Sequence, residues 1–450
     1  MAGMLLSSCG KEESPYKTKR KKIGILGAGV SGLHAALLLH NHQSYDIEIL
    51  EASDRIGGRI ASEHNLFGLC DVENGASHLY GQSHPFYNSL NINNNLELIS
   101  DDERVYFSEL DGQKSQAEMD VDTDYKKLQW GMDYLKSYQS SSVQKYDSYL
   151  NSIGIPERVQ YIFRAQTEPL LGAGIQQVDI NENSKSKVDL LKDAIYKVKN
   201  GQLSDTLFYK YKNVLPFVHN NVRAVKVEYL SDKVMVTDHL QRVHQYDQLI
   251  VTIPVSILKL PSSHPNAIQF SPALPESKLG ALQQLKMDSG FRIHLRLNKK
   301  FWEGDKKQIF IDSSIKKYEV EFANDAQSQY VLSADVMGEE VKNEFYNLSE
   351  NEIVDKIKSN WKKCLGKEAS ESIIDVKIKD WGKDSNVLGS FSYSGENYNH
   401  TTRKNLFMNI SNKLYFAGEA CHSSKSGSIQ GAIETAEMSV SIIEKHLKSL

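Results

Sequence analysis

Cysteine is scarce: the 450 residues hold four, Cys9, Cys70, Cys364 and Cys421, far apart and with no CxxC pair. Neither a disulfide-built scaffold nor a thiolate zinc site is suggested, and the compartment is left open. No apolar run approaches the ~20 residues of a transmembrane helix, and mean hydropathy is -0.45, so the body of the chain reads as soluble. A surplus of positive charge is also missing. Fifty-three basic against 57 acidic residues give a net charge of -4 and a pI near 6.4, with no global field to gather phosphate backbones, and nucleic acid is not an expected partner. The 14 histidines form no metal-ligand pattern, and His40-Asn41-His42 reads as a solvated helix end; no metal is expected. There is no internal repeat, low-complexity tract or proline/glycine linker. What is present is 40% hydrophobic and 24% charged residues, enough to offset the entropy of ordering a globular chain. The length exceeds what one core supports, so two or three domains are expected, and without a linker they are expected to be interleaved.

The first ten residues contain Leu6-Ser7-Ser8-Cys9, which resembles a bacterial lipoprotein box, followed by the tether-like KEESPYKTKRKK. The positive n-region and most of the apolar h-region are missing. Residues 1–21 are therefore expected to be disordered. They are either a truncated lipoprotein signal, which would place the protein at a membrane or in the periplasm, or a plain tail on a cytoplasmic protein. From Ile23 the chain turns apolar and glycine-rich. Residues 82–200 predict a helical insertion with helices over 125–138 and 156–171, where apolar residues recur at helical spacing. Short β-branched runs predict strands over 224–229, 234–237 and 249–253. A second strand-rich block, 276–381, includes 291–297 and 330–335. Residues 414–418 predict a buried strand and 429–447 a helix.

The strongest signal is Lys22-Ile23-Gly24-Ile25-Leu26-Gly27-Ala28-Gly29-Val30-Ser31-Gly32-Leu33, an apolar strand that enters GxGxxG and then a helix. Gly27 suits the tight turn, Gly29 the close approach of backbone to a pyrophosphate, and Gly32 the packing of helix on strand. The helix N-terminus offers free N–H groups and the positive end of its dipole. A second strand over 46–50 ends at Glu51, about 20 residues on, where a carboxylate can accept both hydroxyls of an adenosine ribose. That acid disfavours NADP and leaves NAD and FAD. Glu51-Ala52-Ser53-Asp54-Arg55-Ile56-Gly57-Gly58-Arg59 then adds a second glycine pair with a guanidinium beyond it, suited to a diphosphate or ribityl segment.

This combination resembles the FAD-binding signature of the flavin amine oxidase family, which includes monoamine, polyamine and L-amino acid oxidases. Further segments follow in the family's order: Val72 to Gly81 with Gly75, Ala76 and Ser77 near the flavin, Gly201-Gln202-Leu203, the strand around Val222, and Asp247 to Pro254. Trp381, Gly389 to Ser392, Tyr415 to Glu419 and Gly427 to Ala432 complete the set. The resemblance implies FAD held non-covalently by Gly27, Gly29, Ser31, Gly32, Glu51, Ala52, Arg55, Gly58, Arg59, Gly75, Ala76, Ser77, Val222 (through its backbone, on the adenine), Gly418, Glu419, Ser428 and Ile429. Glu419 is placed to accept from ribityl hydroxyls. The helix N-terminus at Ile429 would stabilise negative charge on the flavin pyrimidine edge.

Three departures bear on the substrate. Counting back from Phe301-Trp302, the family's water-holding lysine is replaced by Arg292, on a strand whose Arg292, His294 and Arg296 share one face. Arginine cannot give up a proton; a fixed charge near flavin N5 and slow reaction with oxygen are the consequence. A bland alternative is an edge strand with a solvated basic face. The second ring of the family's aromatic pair is Ser428, which leaves Phe391 or Tyr393 on the other side and weakens an aromatic cage. The covalent flavin-linking cysteine has no counterpart, since Cys421 falls after the Tyr-Phe-Ala-Gly strand, and no third partner completes a Cys421–His422 nucleophile.

The expected fold is α/β, α+β overall: a Rossmann-like FAD-binding domain from 22–81, 201–275 and 382–450, interleaved with a sheet-plus-helix substrate domain from 82–200 and 276–381. The resemblance implies hydride transfer from a C–H next to an amine nitrogen to flavin N5. The resulting imine is hydrolysed by water, and oxygen or another acceptor takes the electrons. Arg292, Phe391 and Ser428 are the candidate catalytic positions. A flavin dehydrogenase or desaturase acting on a non-amine, and a FAD-stabilised binding protein without turnover, are the alternatives.

Overall fold

The computed structural model describes residues 20–139, 144–199, 201–229, 232–338, 343–395 and 397–448; the lipoprotein-like box lies outside the described residues. Its first layer is a five-stranded parallel sheet in the order Val218–His219, Tyr45–Leu50 (β2), Lys21–Leu26 (β1), Gln248–Val251 and Leu414–Phe416. Ile25 of β1 pairs with Ile49 on one side and Ile250 on the other. All three are fully buried, as expected of a parallel sheet covered on both faces. Helix α1, Val30–Asn41, and the closing helix Ile429–Lys448 contribute Leu33, Ala36, Leu39, Ile433, Ala436 and Val440 to one apolar core with the sheet. The expected strands and helices of this layer are present to within a few residues. The 249–253 run pairs only to Val251, because Pro254 caps the short helix that follows.

The second layer is a seven-stranded sheet in the order Ile373–Asp380, Gly290–Leu297, Gln329–Met337, Lys317–Asn324, Gln308–Ile311, Arg104–Ser108 and Gly112–Ser115. It is antiparallel except where Gln308–Ile311 meets Arg104–Ser108. Residues 82–200 are therefore not purely helical: they carry Arg104–Ser108 and Gly112–Ser115 into this sheet as well as the helices Thr123–Tyr134, Glu157–Leu171 and Glu182–Asp189. The 125–138 prediction starts two residues late, since Asp122 caps the helix by accepting from the N–H groups of Asp124 and Tyr125. One face of the sheet packs Phe291, Ile293, Leu295 and Leu297 with Trp302 against Trp361 of helix Glu350–Cys364. The other face turns Arg292 and His294 toward Glu73 and Asn74.

Candidate active site

A cavity of about 820 Å³ runs from the C-terminal ends of the parallel strands to the polar face of the seven-stranded sheet, near the upper end of the ~300–1,000 Å³ range of cofactor and ligand sites. Its nucleotide-facing end is built by two glycine turns. Gly27 turns at φ +99°, which favours glycine. A Cβ on Gly32 would lie 2.0 Å from the Gly27 carbonyl oxygen, so only glycine lets α1 start this close to β1. A Cβ on Gly29 would meet nothing within 4 Å. The second turn is locked to the first by Gly57 N–H donating to the Ala28 carbonyl at 2.8 Å, and Gly57 and Gly58 both have positive φ. Ser31, in the first turn of α1, is 5% exposed, and its Oγ has no partner among the described residues.

Glu51 stands at the end of β2 with Ala52 beside it, both on the cavity wall. Its carboxylate accepts from Ala28 N at 2.7 Å through one oxygen, and from Ser53 N and Oγ at 2.9 and 2.6 Å through the other. Val222 N–H donates to the Glu51 carbonyl at 2.8 Å, so its N–H is taken up within the protein. Arg55 lies over the Trp381 ring at 5.8 Å. Gly75 passes so close to the Arg59 carbonyl that a Cβ would be 2.0 Å from its oxygen, and Ala76 donates to the same oxygen at 3.2 Å. Ser77 follows on the wall of the cavity.

The buried carboxylate of Glu419 organises the far end of this cradle. One oxygen accepts from Arg59 Nη1 at 2.9 Å and Ser392 N at 3.2 Å; the other accepts from Ser392 Oγ at 2.7 Å and Gly427 N at 2.9 Å. Burial pushes its pKa up, but Arg59, the Ser392 hydroxyl and Arg403 outweigh burial and hold it at about 2. With four protein donors on it, Glu419 fastens the Arg59, Ser392 and Gly427 segments together rather than standing free for hydroxyls. Gly418, at φ +128°, makes the turn that brings it there. Ser428 accepts from Gly431 N at 3.0 Å and donates to the Lys425 carbonyl at 2.7 Å. It thus caps the N-terminus of the helix that begins at Ile429, a structural duty the sequence reading did not assign to it.

Arg292 requires a correction. Its strand, Gly290–Leu297, is paired on both sides and is no solvated edge. The side chain is 2% exposed and lines the cavity. Its nitrogens reach Asp335 at 2.9 Å, Glu321 at 3.2 Å and the Glu73 carbonyl at 3.1 Å. Burial pulls its pKa down, but Asp335, Glu321 and Glu319 more than offset this, so it stays a cation. Two carboxylates match it, and Lys197 shares Glu321 at 2.9 Å; the fixed charge expected from the sequence is kept, with its counter-charges beside it. His294, on the same face, bridges Ser333 and Asn74, and burial holds its pKa well below the imidazole value.

Phe391 lines the same chamber, pressed so close to Gly172 and Gly427 that a Cβ on either would collide with its ring. Tyr393, the other candidate ring, is 2% exposed and belongs to the core beneath helix Glu157–Leu171. Cys421 sits in the apolar core with Leu406 and Phe416, and burial pushes its thiol up to about 12, while His422 is held by Glu434 at 2.8 Å. A Cys421–His422 nucleophile is thereby excluded.

The model of the flavin containing amine oxidoreductases matches residues 213–443, and that of an NAD(P)-binding Rossmann-like domain matches residues 25–91. The chain belongs to the flavin containing amine oxidoreductase family. Among relatives of this amine oxidoreductase, polyamine oxidase 5 of Oryza sativa subsp. japonica is 26% identical over 94% of this chain and 88% of its own. The L-amino-acid oxidase of Naja atra is 24% identical over 63% and 60%. Cyclohexylamine oxidase from Brevibacterium oxydans IH-35A shares the fold at a TM-score of 0.75 and 17% identity, covering 95% of this chain and all of the other. A redesigned triple mutant of putrescine oxidase does so at 0.77 and 16%, covering 95% and 99%.

The residues fit the flavin cofactor of this family. The orphaned Ser31 hydroxyl, the open space at Gly29 and the unused N–H groups of the first turn of α1 form an anion cradle. Among the described residues no cluster suits a metal ion, and no helix is long and apolar enough to cross a membrane. Two features of the amine oxidoreductase were missed by sequence reasoning. Lys187, on helix Glu182–Asp189, reaches the chamber 3% exposed, and Glu73 lies buried between Ser62 Oγ and the N–H of Leu203. No motif marks Lys187, because Ser392, Phe391 and Gly427 around it lie more than 200 residues away in sequence; Glu73 falls within the Val72 to Gly81 segment, but its burial against Leu203, 130 residues on, has no local sign.

Proposed function

We propose that this amine oxidoreductase oxidises an alkyl amine at the carbon next to nitrogen, giving an imine that water hydrolyses, with oxygen or another acceptor taking the electrons. The observation that carries the reading is the single cavity that joins the glycine cradle to a chamber lined by Phe391, Phe310, Leu170 and Leu191. FAD, when bound, supplies the hydride acceptor. The diphosphate is held by the first turn of α1 with Ser31, Gly27, Gly29, Gly32 and Gly58. Glu51, Ala52 and the Val222 carbonyl take the adenosine. Arg55 and Arg59, with Gly75, Ala76, Ser77 and the Gly418–Glu419 turn, take the flavin-side chain. Ile429 opens the helix whose N-terminus favours negative charge on the ring, and Ser428 fixes that helix start. Phe391 offers a ring face to the substrate nitrogen, and the apolar side chains exclude water from it. Arg292, tied to Asp335 and Glu321, is a rigid part of the chamber floor.

Purified protein is expected to carry about one FAD per chain, released intact by acid because the cysteine nearest in sequence, Cys421, is buried in the core. Anaerobic addition of putrescine, spermidine, cyclohexylamine and L-amino acids should bleach the flavin with at least one alkyl amine. Full FAD occupancy with no bleaching by any amine would refute the substrate reading. Flavin that stays attached after denaturation would refute non-covalent binding.

A further inference from the structure

Helix Glu182–Asp189 is polar in sequence, yet Asn183, Ser184, Lys187 and Val188 are buried. Asn183 latches it to the segment before the closing helix by donating to the Ser423 carbonyl at 2.6 Å and meeting Ser426 Oγ at 3.0 Å. One turn on, Lys187 enters the cavity wall. Its Nζ donates to the Ser392 carbonyl at 3.1 Å and stands 5.1 Å from the centre of the Phe391 ring. It also stands 3.0 Å from where a Cβ on Gly427 would be. No carboxylate lies within ion-pair distance of it among the described residues; Glu419, whose charge favours its protonated form, is occupied by Arg59. An ammonium has three N–H groups to satisfy, and here one carbonyl and one ring face meet it.

Resting on the amine reading above, we propose that Lys187 is a catalytic residue that accepts the proton of the bound substrate ammonium through its neutral amine. The N–H bond of the substrate breaks, its electron pair stays on the substrate nitrogen, and a third N–H bond forms at Lys187 Nζ from the lone pair of its neutral amine. The substrate is left with the lone pair that C–H oxidation requires, and no oxidant is consumed in this step. The new ammonium is met by the Ser392 carbonyl and the Phe391 face. Burial and, after it, Arg403 lower the pKa of Lys187, Glu419 opposes them, and the outcome is about 7. These are the charged groups that face it. Lys185 on its own helix turns to Glu182 and the Tyr138 carbonyl, and Glu168 on the packed helix Glu157–Leu171 faces Lys316.

The test uses the FAD-loaded protein. With an amine that bleaches the flavin, the rate constant for bleaching should rise through an inflection near pH 7 in the wild type. In Lys187→Met and Lys187→Arg that inflection should vanish and the rate at pH 8 should fall about 100-fold, with FAD content unchanged. An unaltered pH profile in both variants overturns the proposal. Independently of turnover, protein labelled with 13C at lysine Cε is titrated by NMR, the Lys187 signal being assigned by its loss in either variant. Titration near 7 supports the assignment, and titration near the ordinary lysine value of about 10.4 overturns it, also where the variants lose FAD. If FAD is held and no amine bleaches it at any pH, the amine reading has failed, which the NMR titration separates from a failure of the lysine itself.

Discussion

At the residue scale, the chamber is governed by which charges are matched. Arg292 is expected from the sequence at the position of a family lysine, and in the structure Asp335, Glu321 and the Glu73 carbonyl hold its guanidinium. Its removal therefore strands acids rather than freeing a site. Arg292→Met is expected to cost about 3–5 kcal/mol, because buried carboxylates lose their partner. Arg292→Lys should cost less, since one ammonium can still face Asp335. Urea unfolding of both variants measures this. A loss below about 1 kcal/mol for the methionine variant would mean that Asp335 and Glu321 are not held by Arg292. Lys187 is the converse case, a buried amine with no acid in ion-pair contact among the described residues.

At the scale of elements, the turn between β1 and α1 separates two kinds of glycine. Gly32 is required by the fold, since a Cβ there would strike the Gly27 carbonyl, whereas Gly29 borders open space at φ -70°. Gly32→Ala is expected to lower the thermal midpoint of the FAD-free protein, with an overpacking cost of about 1–3 kcal/mol. Gly29→Val should leave that midpoint within a degree or two while abolishing FAD retention, because the branched side chain fills the cradle. Calorimetry of the apoprotein with absorbance of the purified flavin reads both. Equal loss of stability in the two variants would contradict the assignment of Gly29 to the cofactor. The same division holds at the other helix start, where Ser428 is a cap and a cavity residue at once.

At the scale of the whole molecule, burial between the two layers sets a pH dependence. Glu73 joins the strand Cys70–Glu73 to the helix Gln202–Tyr211, and burial pushes its carboxyl up to about 7, with the Ser62 and Leu203 hydrogen bonds opposing. Between pH 4.5 and 7 the folded chain keeps this proton and the unfolded chain does not. Its contribution to stability therefore falls as pH rises through that window and is flat above it. Glu73→Gln is expected to remove a slope worth on the order of 2–3 kcal/mol, measured as the difference between the two proteins in urea unfolding at pH 5, 6 and 7. Identical slopes would place the Glu73 carboxyl in contact with water. Glu419 works in the opposite sense: its depressed pKa contributes stability above about 4.5, lost as pH falls through about 2.

The sequence by itself determined the nucleotide half. GxGxxG and the acid at Glu51 are set by local sterics and short-range periodicity, their partners lying within about 30 residues along one βαβ unit, and the apolar runs of the buried strands are legible without their distant partners. It also determined the alternation of Phe291 to Leu297, which packs Ile293, Leu295 and Leu297 on one face as the period of two requires. Only the tertiary structure decided what the opposite face meets. Arg292 reads as solvated or catalytic until Asp335, Glu321 and Glu73 are brought beside it. Glu419 reads as a free acceptor until Arg59, Ser392 and Gly427 occupy it. Lys187 reads as one more lysine on a polar helix until Ser392, Phe391 and Gly427 close around it. In each case the deciding neighbour is distant in sequence, and burial, which shifts charge and pKa, has no local signature.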